Sequence, residues 1–172
     1  MTGLDSAAAT RWWATPTGLL SLSAAVVYPP IVLGLLFGVA LGGERDGSAR
    51  RLGFDELLGH NVLTGVLTVA VGLVSFGVMT AAWSLAASFA NGFELGVVVS
   101  VSGPGDLVAG MAHFPPETVS FVLFTAAGLT AAARAGARTL GLGVPPRSSW
   151  SAQVLTLTAS GALLLVAAAA LE

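Results

Sequence analysis

Gly18–Leu41 reads GLLSLSAAVVYPPIVLGLLFGVAL and contains no Asp, Glu, Lys or Arg. Crossing the hydrocarbon of a bilayer takes about 20 predominantly apolar residues in a helix, and this stretch supplies them. The pattern repeats along the chain. No acidic or basic residue occurs from Trp12 to Gly43, from Leu57 to Phe93, from Thr118 to Ala133 or from Ser148 to Leu171. Of the 172 residues 55% are apolar and only 9% charged, whereas a soluble domain carries roughly 25% charge. A water-soluble bundle would need a polar face on most helices, and none of the four runs has one. The predicted fold is all-α: a single polytopic transmembrane helical bundle over residues 1–172, multi-pass in the cell membrane, with the lipid bilayer as its main partner.

About five spans are expected, near residues 18–41, 61–83, 92–112, 116–138 and 150–171. The first carries Tyr28-Pro29-Pro30 near its middle, where two missing donors and two ring clashes predict a kink. Such a kink serves either as a hinge or cavity wall, or simply as a packing feature. The second span opens at His60-Asn61 and has small residues at Gly65, Gly72, Gly77 and Ala81, spacings that let helix backbones approach closely. The third segment is expected to be broken or re-entrant: Leu95–Val101 is too short to span alone, and Gly103-Pro104-Gly105 interrupts the chain just beyond it. Gly92, Gly96 and Ser100, four apart, give that segment a small-residue face. Pro115-Pro116-Glu117 marks the start of the fourth, because proline fits the first helical turn.

Five crossings with the N-terminus inside leave Arg11, Arg134, Arg138 and Arg147 in the cytoplasm and Arg45, Arg50 and Arg51 outside. Four crossings with a re-entrant third segment place both arginine-rich loops inside. Charge favours four crossings, and the length of the third segment favours five, the number expected here. The first span follows a polar tail and exceeds a typical signal core, so no cleaved signal is expected.

The formal net charge of −2 and the lack of a basic run point away from nucleic acid. With no cysteine in the sequence, disulfides, thiolate metal sites and cysteine nucleophiles are excluded. Two histidines fall short of the three or four ligands zinc wants, and no Ser-His-Asp or phosphate-loop pattern appears. Neither a cofactor nor an enzymatic activity is expected.

Ionisable and amide side chains at membrane depth are costly and invite a functional question. The candidate polar cluster is His60, Asn61, Asn91, Glu94, His113 and Glu117. His60-Asn61 suits a helix cap at the headgroup layer. Asn91-Gly92 suits a helix end or tight turn. Glu94 just after it would sit at a helix N-terminus, favoured by the dipole, or act as a cation or proton site. Glu117 falls in the first turn opened by Pro115-Pro116, with His113 placed just outside to hydrogen-bond it or to cap the helix.

In order and spacing these motifs resemble the stage II sporulation protein M family of membrane proteins. His60-Asn61 opens a helix with Gly65, Gly72 and Gly77; Asn91-Gly92 and Gly96 come next; a His-x-x-x-Glu element at His113 and Glu117 then leads into a helix with Gly128. The resemblance covers about Gly59 to Gly136 and departs from the family at Phe114, where glycine is usual. It implies about five helical spans acting as a non-enzymatic component of a membrane complex, one that anchors or recruits membrane or membrane-associated protein partners. Homo-oligomerisation is compatible with the same small-residue faces. The alternative is a transporter or permease-like subunit with a polar site near Glu94 and Asp106.

Overall fold

The computed structural model describes residues 15–42, 54–103, 112–141 and 147–171. Within them the chain forms five helices: α1 (Pro16–Leu41), α2 (Phe54–Val74), α3 (Val78–Ser102), α4 (Phe114–Thr139) and α5 (Arg147–Ala169). The fold is all-α, with no strand among the described residues. Four of the helices, α1, α3, α4 and α5, are long and apolar enough to cross a membrane; the apolar part of α2 is the shorter Leu58–Val74.

Several helix ends have a local cause. Thr15 caps α1 by accepting a hydrogen bond from the Gly18 N–H at 3.0 Å, with Pro16 in the first turn. The helix continues through Pro29 and Pro30, whose missing N–H groups leave the carbonyls of Ala25 and Val26 without their usual i+4 donor. Gly103, at φ +84°, ends α3.

The boundary between α2 and α3 corrects the span limits expected from sequence. The second helix stops at Val74 and the third starts at Val78, so the break falls at Ser75–Gly77. Phe76 and Gly77 both take positive φ, 51° and 82°, and the Gly77 N–H turns back to the Gly72 carbonyl at 2.9 Å, satisfying a carbonyl the helix would otherwise leave open. Ser75 reinforces the turn: its hydroxyl donates to the Val71 carbonyl and accepts from the Met79 N–H. Asn91-Gly92, expected to end a helix, lies inside α3 instead. Shifting the helix toward the N-terminus gives it the apolar length that the 92–112 reading lacked.

The helices alternate in direction. Gly34 and Gly38 of α1 lie against Gly92 and Gly96 of α3, in the same order along both helices, so α1 and α3 are parallel. Asn61 meets Glu117 and Gly72 meets Gly128, so α2 and α4 are parallel too. Thr80 bonds the Thr68 carbonyl and Ser120 the Gly161 carbonyl, setting α3 against α2 and α5 against α4 in antiparallel pairs. The ends of α1, α3 and α5 therefore share one side of the bundle with the starts of α2 and α4.

Two devices hold the helices together. The first is backbone contact: a Cβ on Gly34 would strike the Phe89 carbonyl oxygen, one on Gly38 the Phe93 carbonyl oxygen, and one on Gly92 the Ile31 carbonyl oxygen. Such approach brings backbone dipoles and Cα–H groups together where apolar transfer contributes little. The second is a set of buried hydroxyls. Thr80 Oγ1 donates to the Thr68 carbonyl at 2.9 Å, Ser84 and Thr125 share a bond of 2.9 Å, and Ser120 donates to the Gly161 carbonyl at 2.8 Å. Helix α4 is the centre: 56% of its most apolar stretch is buried, against 22% in each of α1, α3 and α5. Its Phe124 ring lies between Gly65 of α2 and Gly161 of α5.

Candidate functional site

A cavity of about 460 Å³ opens among α1, α2, α3 and α4. Helical spacing explains its lining. Trp83, Ala87, Asn91 and Glu94 recur along one face of α3, and Phe114, Glu117, Thr118 and Phe121 along one face of α4. Helix α2 adds His60, Asn61 and Thr64; Val27 and Ile31 of α1 close an apolar wall beside the proline pair.

Five of the six polar residues singled out by sequence, His60, Asn61, Asn91, Glu94 and Glu117, thus face one space although they come from three helices. Their local settings differ from expectation. His60 and Asn61 lie inside α2 rather than capping it, since the helix already starts at Phe54. Asn61 Nδ2 donates to Glu117 Oε1 at 2.8 Å, tying α2 to the first turn of α4. Glu94 lies eight residues before the end of α3, about 12 Å in from that end at 1.5 Å per residue. It therefore gains nothing from a helix N-terminus, whose field fades within one turn. Among the described residues, the side chains of His60, Asn91 and Glu94 make no hydrogen bond or ion pair.

His113 does not join the cluster. It is the N-cap residue of α4, but its side chain makes no capping bond. An N-cap side chain accepts from the second or third helical N–H, and here those positions are Pro115 and Pro116, which have none. The His113 contribution is its backbone carbonyl, which accepts from the Glu117 N–H at 3.2 Å. Asp106 lies outside the described residues.

The lining can do definite chemistry. Two carboxylates, an imidazole and two carboxamides offer acceptors for a cation or a hydrogen-bond donor, on a wall that apart from Thr64, Thr118 and Ser120 is aromatic and aliphatic. Among the described residues no group of three His, Asp or Glu side chains is placed to hold a metal ion. No family model, curated protein or solved structure matches this chain. The geometry of the cavity is therefore the ground for its function.

Trp83, Thr64 and Thr118 were not foreseen as lining residues. Trp83, Ala87 and Asn91 are spaced by four, a signal that becomes visible only once α3 is read as unbroken through Asn91-Gly92.

Proposed function

We propose that this chain is a multi-pass integral membrane protein of the stage II sporulation protein M type, a non-enzymatic component that holds a partner protein in a membrane complex. The partner presents a basic or hydrogen-bond-donating group to the acidic cavity. One observation carries this reading: polar residues of the resemblance that lie far apart in sequence, His60, Asn61, Asn91 and Glu117, line a single cavity together with Glu94. Membrane placement is supported by four helices of spanning length and by outward-facing side chains such as Leu36, Phe37, Leu155 and Leu163, which hydrocarbon accommodates and water does not. Five crossings accord with the alternating directions of the helices, and the arginine count, four against three, favours the N-terminus in the cytoplasm.

The test is purification of the full chain from its native membrane in mild detergent, as wild type and as Asn61→Leu and Glu94→Gln variants. A partner that copurifies with wild type and is lost from both variants supports the proposal. Recovery of this chain alone from every preparation removes it.

A second reading, a permease-like subunit, is favoured by Glu94. Its carboxylate faces the cavity without a hydrogen bond among the described residues, as a site that loads and releases a cation requires. Flux of protons or monovalent cations into liposomes, abolished in Glu94→Gln, selects this reading; liposomes inert to every imposed gradient discard it.

A further inference from the structure

A second cavity, of about 490 Å³, lies at the other side of the bundle, where α2 ends, α4 ends and α5 begins. Its composition is the reverse of the first. Arg134 and Arg138, one turn apart on α4, both line it, and among the described residues no acidic side chain does. The helices that build this end supply only positive charge: neither Leu57–Phe93 nor Thr118–Leu171 contains an Asp or Glu. Thr158 adds a hydroxyl whose oxygen is buried and has no hydrogen-bond partner among the described residues. Apart from Thr130 and Ser151 the remaining wall is apolar, including Leu73, Phe76 and Leu155, all of which are exposed on the outside of the bundle.

Arg138 also offsets the negative end of the α4 dipole, but that role calls for neither a cavity nor a second guanidinium a turn deeper. The geometry points to a binding site for one anionic phospholipid. Its phosphate is held by Arg134 and Arg138, and an acyl chain runs along Leu73, Phe76 and Leu155. Guanidinium forks match phosphate oxygens, and basic pockets between helices at a membrane surface are suited to anionic headgroups. Inorganic phosphate shares the headgroup chemistry but has no use for the apolar wall. The inference rests on the bilayer placement proposed above and is independent of what the acidic cavity binds.

The experiment is native mass spectrometry of the full chain in neutral detergent with equimolar phosphatidylglycerol and phosphatidylcholine. Wild type is expected to retain one phosphatidylglycerol in clear preference. Arg134→Gln with Arg138→Gln should lower that preference roughly tenfold or more, as loss of charge-assisted contacts implies, while the double Lys variant keeps most of it. Arg138→Gln alone, on an exposed side chain, gives a partial loss even if the double variant fails to fold. Equal retention of the two lipids, an unchanged preference in Arg138→Gln, or displacement of the lipid by inorganic phosphate alone overturns the inference. Failure of the bilayer placement is separately visible, as a chain that stays monodisperse in buffer without detergent.

Discussion

Asn61 Nδ2 donates to Glu117 Oε1 at 2.8 Å across the interface between two parallel helices, α2 and α4. The bond sits at the rim of the acidic cavity and fixes the orientation of one of its two carboxylates. Interhelical hydrogen bonds of this kind contribute about 0.6 kcal/mol on average, with an upper range near 1.7. A double-mutant cycle with Asn61→Ala and Glu117→Ala, each of which removes the bond, read from unfolding in detergent, should therefore give a coupling of about 1 kcal/mol. Strict additivity of the two substitutions would show that the contact does not hold α2 to α4.

Glycines on the α1–α3 seam should be far more sensitive than glycines elsewhere. A Cβ on Gly92 meets the Ile31 carbonyl oxygen and one on Gly96 the Leu35 carbonyl oxygen, and backbone cannot swing aside as a side chain can. Gly92→Ala should cost about 1–3 kcal/mol, the usual range for overpacking. Gly59 has nothing within 4 Å of an added Cβ, so Gly59→Ala should stabilise α2 by up to about 1 kcal/mol through helix propensity. Equal unfolding midpoints for the two variants would contradict the seam.

The break between α2 and α3 is testable by chemistry, because the chain has no cysteine of its own. A Phe76→Cys variant in reconstituted vesicles should react with a membrane-impermeant thiol reagent from one side only. A cysteine at Ala86, in the middle of α3, should resist the reagent from both sides. Ready labelling at Ala86 together with protection at Phe76 would restore the helix limits read from sequence.

Gly77 should tolerate no side chain. Its φ of 82° lies in the left-handed region, and an added Cβ would come within 2.7 Å of the Ala132 Cβ. Gly77→Ala is expected to lose about 1–3 kcal/mol from conformation and crowding together. Phe76→Gly relieves a neighbouring positive φ of 51° and should raise the thermal midpoint, provided the exposed ring contributes little packing. A lower midpoint would assign the ring a packing role.

The helical class was legible because charge-free length needs no tertiary information. The helix limits were less so, for a reason Gly92 makes plain. Glycine marks a turn in one setting and a close backbone approach in another, and only the partner helix decides between them. At Gly77 the turn prevails; at Gly92 the Ile31 carbonyl of α1 occupies the space a side chain would need. The matching Gly34 and Gly38 of α1, and Gly42 just past its end, went unremarked because their partners are on a helix that is not next in sequence. His60, Asn61, Asn91, Glu94 and Glu117 could each be singled out as costly at depth, but their meeting in one cavity depends on α2, α3 and α4 packing side by side. His113 was grouped with them by nearness in sequence, and two prolines after it leave its side chain nothing to cap.

The seam between α1 and α3 has a consequence for biogenesis. Gly34 and Gly92 are separated by roughly sixty residues, and ribosomes add about 5–20 residues each second. The glycine stripe of α1 thus waits several seconds in the nascent chain before its own partner is made. During that interval the stripe offers bare backbone to any other small-faced helix nearby, including the same stripe on a second nascent copy. Assembly of this bundle is accordingly a race between synthesis and mispairing, and whatever shelters α1 at the insertion site sets the yield.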